Sequence, residues 1–155
     1  MRAEYVNAFL VPSVRVLEKM ARVSVRLGRP RRLEGLELGD NLCIIIGLQG
    51  RLNGSVVLAA SHAVAWAVAE RIAGGAVEDD REVRAILAEL ANTIVGNATG
   101  HLYDLGVREG ITPPTVVDGE AVNVDFGTGM EIVLLPLETE AGRVDLVVSL
   151  APEEP

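Results

Sequence analysis

Apolar positions recur along this chain with two different periods, and the changes between them mark out the elements. From about Ala3 to Arg22, Val6, Phe9, Leu10, Leu17 and Met20 fall at helical spacing. A helix is predicted there, with Pro12 expected to kink it or delay its start. Leu42 to Gln49 is an isoleucine-rich run that reads as a strand, Gly50-Arg51 as a turn, and Val56 to Ala60 as the returning strand. Ser61 can cap a helix running to Ala73, whose end is marked by Gly74-Gly75. Glu78-Asp79-Asp80 is a polar link with Asp80 as the expected N-cap. A long helix is predicted from about Arg81 to Leu105, closed by Gly106. Thr112-Pro113-Pro114-Thr115 then enforces an extended, non-helical segment. Val122 to Phe126, Glu131 to Leu137 and Val144 to Leu150 read as strands, the last two joined by the turn Glu140-Ala141-Gly142. Pro152 to Pro155 is expected to be a frayed tail. Helix, strands, two helices, strands, with hairpin-length links, predicts an α+β fold. Its expected form is a mainly antiparallel β-sheet with helices packed on it, in one domain over residues 1–155.

Composition narrows the function classes. With 49% hydrophobic and 23% charged residues the chain is globular in character, and 155 residues can bury a sizeable core without a disulfide or metal staple. The net charge of −8 argues against sequence-independent nucleic-acid binding, where each phosphate contact needs a cation. The lone Cys43 and the distant His62 and His101 do not make a zinc site, so no metal or cofactor is expected to be held by this chain. Cys43, inside Leu42-Cys43-Ile44-Ile45-Ile46, reads as a small buried hydrophobe. Leu52 to Ala69 carries no charge, but Asn53, Gly54, Ser55, Ser61 and His62 interrupt it. It reads as strand plus helix rather than a membrane span. The start has no secretory character, and the expected compartment is a reducing cytoplasm. Charge is uneven: residues 1–32 hold eight basic and two acidic groups, the rest six and 20. The basic end reads as a solvated helix and an Arg-rich loop (Arg26, Arg29, Arg31, Arg32), with an acidic partner as the other reading.

The long helix carries the most information. Val83, Ile86, Leu87, Leu90, Ile94, Ala98 and Leu102 form one stripe, continued by Leu105, and this is the predicted core face. The opposite face carries Ala85, Glu89, Asn92, Gly96 and Tyr103, bordered by Ala88, Thr99 and Gly100. A solvated helix face would be rich in Lys, Glu and Arg, yet here Glu89 is the one charge in the middle turns. Gly96 and Gly100 each cost roughly 1 kcal/mol against alanine in a helix interior. Close approach of another backbone, from this chain or from a partner, would offset that cost. Glu89 and Asn92 are three residues apart and project together. The carboxylate can pair with a lysine, and the amide, both donor and acceptor, can hold a water in fixed orientation.

Glu89-Leu90-Ala91-Asn92 followed by Gly96-Asn97-Ala98 resembles the signature helix of the CheC/CheX family of chemotaxis phosphatases. Thr112-Pro113-Pro114-Thr115-Val116-Val117 resembles the segment that follows this helix in CheX proteins. Gly47 to Ser55, the helix ending at Gly74-Gly75, and Phe126-Gly127 through Leu150 continue the likeness over essentially the whole chain. CheX is the nearer likeness, since CheC proteins tend to be longer with two signature helices. The resemblance implies hydrolysis of the aspartyl phosphate on a CheY-like response regulator, which itself supplies the aspartate, Mg²⁺ and a lysine. Carried over, Asn92 holds the attacking water, Glu89 pairs with that lysine, and Ala85, Ala88 and Gly96 contact the partner. It also implies a homodimer, while the acidic charge and the interrupted apolar run lead to no nucleic acid and no membrane as partner. Ala91 stands where these proteins often have glycine, which adds a methyl near the site. Glu4-Tyr5-Val6-Asn7 repeats Glu-x-x-Asn without the following Gly-Asn-Ala and raises the question of a second site. Asn97 reads as a structural amide at the core edge, and His101 as a packing residue. Tyr103 borders either the docking face or plain surface. Two other functions stay open: a response-regulator binding module without catalysis, and a structural domain related to the flagellar motor switch middle domain.

Overall fold

Residues 1–37, 39, 41–119 and 123–153 are described by a computed structural model. Among them are three helices, α1 (Ala3–Ala21), α2 (His62–Ala73) and α3 (Asp80–Asp104). The strands are β1 (Arg26–Leu27), β2 (Arg31–Leu33), β3 (Leu36–Glu37), β4 (Asn41–Gly50), β5 (Gly54–Ser61), β6 (Glu109–Ile111), β7 (Thr115–Gly119), β8 (Asn123–Val124), β9 (Glu131–Thr139) and β10 (Gly142–Leu150). Every strand pair is antiparallel. The main sheet runs β1–β9–β10–β5–β4–β6, with β2 also on β9 and β7 also on β4, and β3 pairs with β8 separately. The α+β class with an antiparallel sheet and helices on it is therefore what the chain forms.

The period-two alternation of the long strands sorts their side chains to two faces. Leu42, Ile44, Ile46 and Leu48 of β4, Val56, Leu58 and Ala60 of β5, and Leu146 and Val148 of β10 meet the helices. Cys43, Val57, Ala59, Ile132, Leu134 and Val147 point the other way. There Leu33, Leu36, Val117, Val124, Phe126 and Met130 cover them. Sheet faces apolar on both sides explain why the strands read as near-continuous hydrophobic runs. Cys43 is fully buried, and burial, with Asp118 and Asp145 adding to it, pushes its thiol up to about 12. Such a group stays protonated and serves as packing.

Several expectations need correction. Helix α1 starts at Ala3 and runs through Pro12, with no delayed start. Tertiary contacts offset the missing hydrogen bond, since Phe9, Pro12, Ser13 and Leu17 are all buried. The N-cap of α3 is Asp79, not Asp80. The segment after Ile111 is not merely extended. Thr115–Gly119 pairs with β4, and Thr112 bonds Gly47 in both directions, through its hydroxyl to the Gly47 N–H (2.8 Å) and its own N–H to the Gly47 carbonyl (3.0 Å). Val122, the start of one predicted strand, lies outside the described residues, as do tail residues 154 and 155. At Glu153 the carboxylate accepts from the Tyr5 hydroxyl at 2.7 Å and pairs with Arg2 at 2.9 Å. These contacts hold the Glu153 carboxyl below its ordinary value, the tyrosine bond first. No described helix is long and apolar enough to cross a membrane.

Candidate functional site

Helix α3 is fixed at both ends by its own sequence. The Asp79 carboxylate accepts from the Glu82 N–H at 2.9 Å, and Asp80 and Glu82 place negative charge at the positive end of the helix dipole. At the far end Val107 N–H reaches the Leu102 carbonyl and Gly106 N–H the Tyr103 carbonyl, both at 2.9 Å. This paired closure requires the positive φ of 82° that Gly106 supplies. Leu105, predicted to continue the core stripe, is 44% exposed because it sits at the cap, past the last helical turn. Replacing Asp79 by alanine is expected to remove about 1 kcal/mol of stability, a fall of roughly 2–4 °C in Tm by calorimetry.

Between these ends, Val83, Leu87, Leu90, Ala91, Ile94, Val95, Ala98 and Leu102 are buried against α1, α2 and the sheet. The buried band is broader than the predicted stripe and takes in Ala91 and Val95. Ala91 is 3% exposed, so its methyl lies in the core and does not crowd the outer face. On that outer face Ala85, Glu89, Gly96 and Gly100 are exposed, and Ala88 and Asn92 are half-buried. A Cβ built on Gly96 or Gly100 would meet nothing within 4 Å. No other described element of this chain packs on Gly96 or Gly100, which removes one of the two explanations for these glycines.

The chemistry-bearing groups on this face are Glu89 and Asn92. Thr93, one turn on from Glu89, donates its hydroxyl to the Glu89 carbonyl at 2.8 Å and lies 3.4 Å from Glu89 Oε1. Among the described residues the Asn92 amide has no hydrogen-bond partner within the chain, so its donor and acceptor both remain available. Asn97 is exposed rather than at the core edge. Its Nδ2 donates to the Thr93 carbonyl at 2.7 Å, which occupies it structurally. His101 is half-buried.

Two features beside the face carried no clear sequence signal. Asp118 of β7 accepts from Arg84 Nη2 at 2.7 Å and meets His62 Nε2 at 2.6 Å, joining α3, β7 and α2. These residues lie 34 and 56 positions apart from Asp118, so no local pattern links them. Arg108, just past α3, places its guanidinium carbon 5.6 Å from the centre of the Tyr103 ring.

The repeated Glu-x-x-Asn on α1 is exposed at both residues, but Glu4 already accepts from Arg2 at 3.2 Å. Among the described residues no group of three or more His, Cys, Asp or Glu is arranged to hold a metal. A depression of about 290 Å³ lies at the chain ends, between Met1, Tyr5, Leu52, Glu131 and Glu153, away from α3.

Residues 42–138 match the family described as chemotaxis phosphatase CheX. A Thermotoga maritima protein described as CheY-P phosphatase CheX is 29% identical over 140 residues, 88% of each chain. The chemotaxis protein CheX of Desulfovibrio desulfuricans superposes with a TM-score of 0.86 at 23% identity, covering 95% of this chain and 99% of that one. A CheX–CheY–BeF₃–Mg²⁺ complex from Borrelia burgdorferi contains a chain that superposes at 0.81 and 26% identity, covering 97% of this chain and 100% of that one.

Proposed function

The chain belongs to the CheX family of chemotaxis phosphatases, and on that premise we propose that it hydrolyses the aspartyl phosphate of a CheY-like response regulator in the cytoplasm. Helix α3 enters the regulator's active site with its uncovered face. The Asn92 amide accepts a hydrogen bond from one water and holds its oxygen in line with phosphorus. As that oxygen bonds to phosphorus, the bond from phosphorus to the aspartyl oxygen breaks. The products are a free carboxylate and inorganic phosphate, which keeps the water's protons. Glu89 pairs with the regulator's lysine and fixes the angle of approach. Mg²⁺ belongs to the regulator, as does the aspartate.

An amide suffices because a loose phosphoryl-transfer transition state calls for positioning and charge neutralisation more than for proton abstraction. The metal supplies the charge. The observation that carries this reading is the placing of Glu89 and Asn92 together on the outer face of α3, one turn before Gly96, where an added Cβ would meet nothing within 4 Å. Ala85, Ala88 and Gly96 beside them let a second backbone come close.

The test is phosphate decay from a Mg²⁺-bound, phosphorylated CheY-like receiver with less than one equivalent of this protein. Faster decay with turnover is expected. Binding without acceleration would make the chain a docking module instead. We further take the chain to act as a homodimer of single-domain subunits, because the outer edges of the β1/β2 and β6/β7 strands have no partner strand among the described residues. Light scattering that gives a monomer at micromolar concentration would contradict the pairing.

A further inference from the structure

The uncovered face of α3 continues past Asn92. Gly96, Thr99, Gly100, Tyr103, Arg108 and Glu109 line an open groove of about 550 Å³ at its C-terminal end. Tyr103 follows Asn92 by 11 residues, which brings it to within about 20° of the same helical direction and about 16 Å along the axis. It is 60% exposed, and Leu105 beside it is 44% exposed. Among the described residues one other large hydrophobic is exposed, Leu27 at 42% in β1, at the opposite edge of the sheet. Two of these three residues thus lie at the C-terminal end of the helix that bears Glu89 and Asn92. Arg108 lies over the Tyr103 ring and forms no ion pair among the described residues.

We infer that this groove, with Tyr103 as its anchor and Arg108 at its rim, is the second half of the surface that holds the phosphorylated receiver and selects which receiver is accepted. The inference rests on the function proposed above. A stable interface of ordinary size buries about 800 Å² on each side, a patch roughly 30 Å across. A receiver centred on Asn92 therefore extends about 15 Å along the helix, which puts Tyr103 at the edge of its footprint. Tyrosine supplies large contact area with little entropy lost, and is enriched among the residues that dominate binding. The groove floor takes an apolar side chain against the tyrosine ring, and Arg108 takes a carboxylate. Asn92 acts on the transferred phosphoryl group and touches what all receivers share. The groove is far enough away to meet surface on which receivers differ.

The experiment combines two readouts on the full chain. One is affinity for a receiver loaded with Mg²⁺ and beryllofluoride. The other is kcat and KM for phosphate loss. Tyr103→Ala and Arg108→Glu are expected to raise Kd and KM about tenfold with kcat unchanged, a loss of uniform binding. Gly100→Gln fills the groove. It should raise Tm by about 2–4 °C, since a helical glycine is replaced where there is space, and still weaken receiver binding. Unchanged Kd and KM in the tyrosine and arginine variants would overturn the inference. So would variants that separate a homodimer and leave receiver affinity intact, because a second copy would then be the occupant. A wild-type protein that binds the receiver but fails to hydrolyse its phosphate would refute the proposed catalysis alone, and the Tyr103 affinity would still decide the groove. A wild-type protein that does not bind the receiver would overturn both.

Discussion

Asn92→Ala is expected to lower kcat for receiver dephosphorylation by about 10²- to 10³-fold while KM changes little. Truncation removes the amide that orients the water, and loss of one pre-organised hydrogen-bonding group in a site of this kind costs about that much. Binding should survive because Asn92 is one contact on a face that also carries Ala85, Ala88, Glu89 and Gly96. Folding should survive too. The side chain is half-buried and makes no hydrogen bond within the described chain, so its loss leaves no group unpaired. An equal fall in the affinity for a beryllofluoride-loaded receiver would assign Asn92 to docking. Rescue by Asn92→Gln is not expected, since the added methylene moves the amide by more than a water-positioning role allows.

Glu89→Lys should weaken receiver binding by about 30- to 100-fold. A carboxylate that pairs with a lysine in a water-poor interface contributes about 2–3 kcal/mol, and reversing its charge sets two cations against each other. The variant should fold normally, because Glu89 is exposed and its one side-chain hydrogen-bond partner among the described residues, Thr93, bonds the backbone carbonyl more closely than the carboxylate. The loss should appear in Kd and KM, be largest at low salt, and shrink as salt screens the repulsion. Wild-type affinity in this variant would remove the lysine pairing from the account.

How far the sequence foretold this arrangement depended on the length of each pattern. Helix α3 was legible because its apolar period persists over 25 residues and a glycine marks its end. Strands β4, β5, β9 and β10 were legible as long β-branched runs separated by short turns. Strands β1, β2 and β3 have two or three residues each, too few for any period to register. They hold their place through pairing with β9 or, for β3, with β8, which lies inside the predicted strand Val122 to Phe126; such pairing is a long-range effect. Strand β7 was hidden by Thr112-Pro113-Pro114, which forecast extended backbone but not the strand it would join.

At the site, the pairing of Glu89 with Asn92 follows from helical spacing alone. Three things did not follow. Ala91 could not be placed in the core without knowing that α1 and α2 widen the buried band of α3. Whether another part of the chain packs on the glycines at 96 and 100 could not be read until the rest of the fold proved to leave them uncovered. The Arg84–Asp118–His62 cluster depends on α3, β7 and α2 meeting, which no local signal encodes.

The most direct test of the account is single-turnover decay of the receiver's aspartyl phosphate with the phosphatase in saturating excess, where affinity no longer matters. Decay with Asn92→Ala is expected to be about 10²-fold or more slower than with wild type, close to the rate of the receiver alone. Equal decay rates for wild type and Asn92→Ala at saturation would contradict it, and would remove the amide from the reaction.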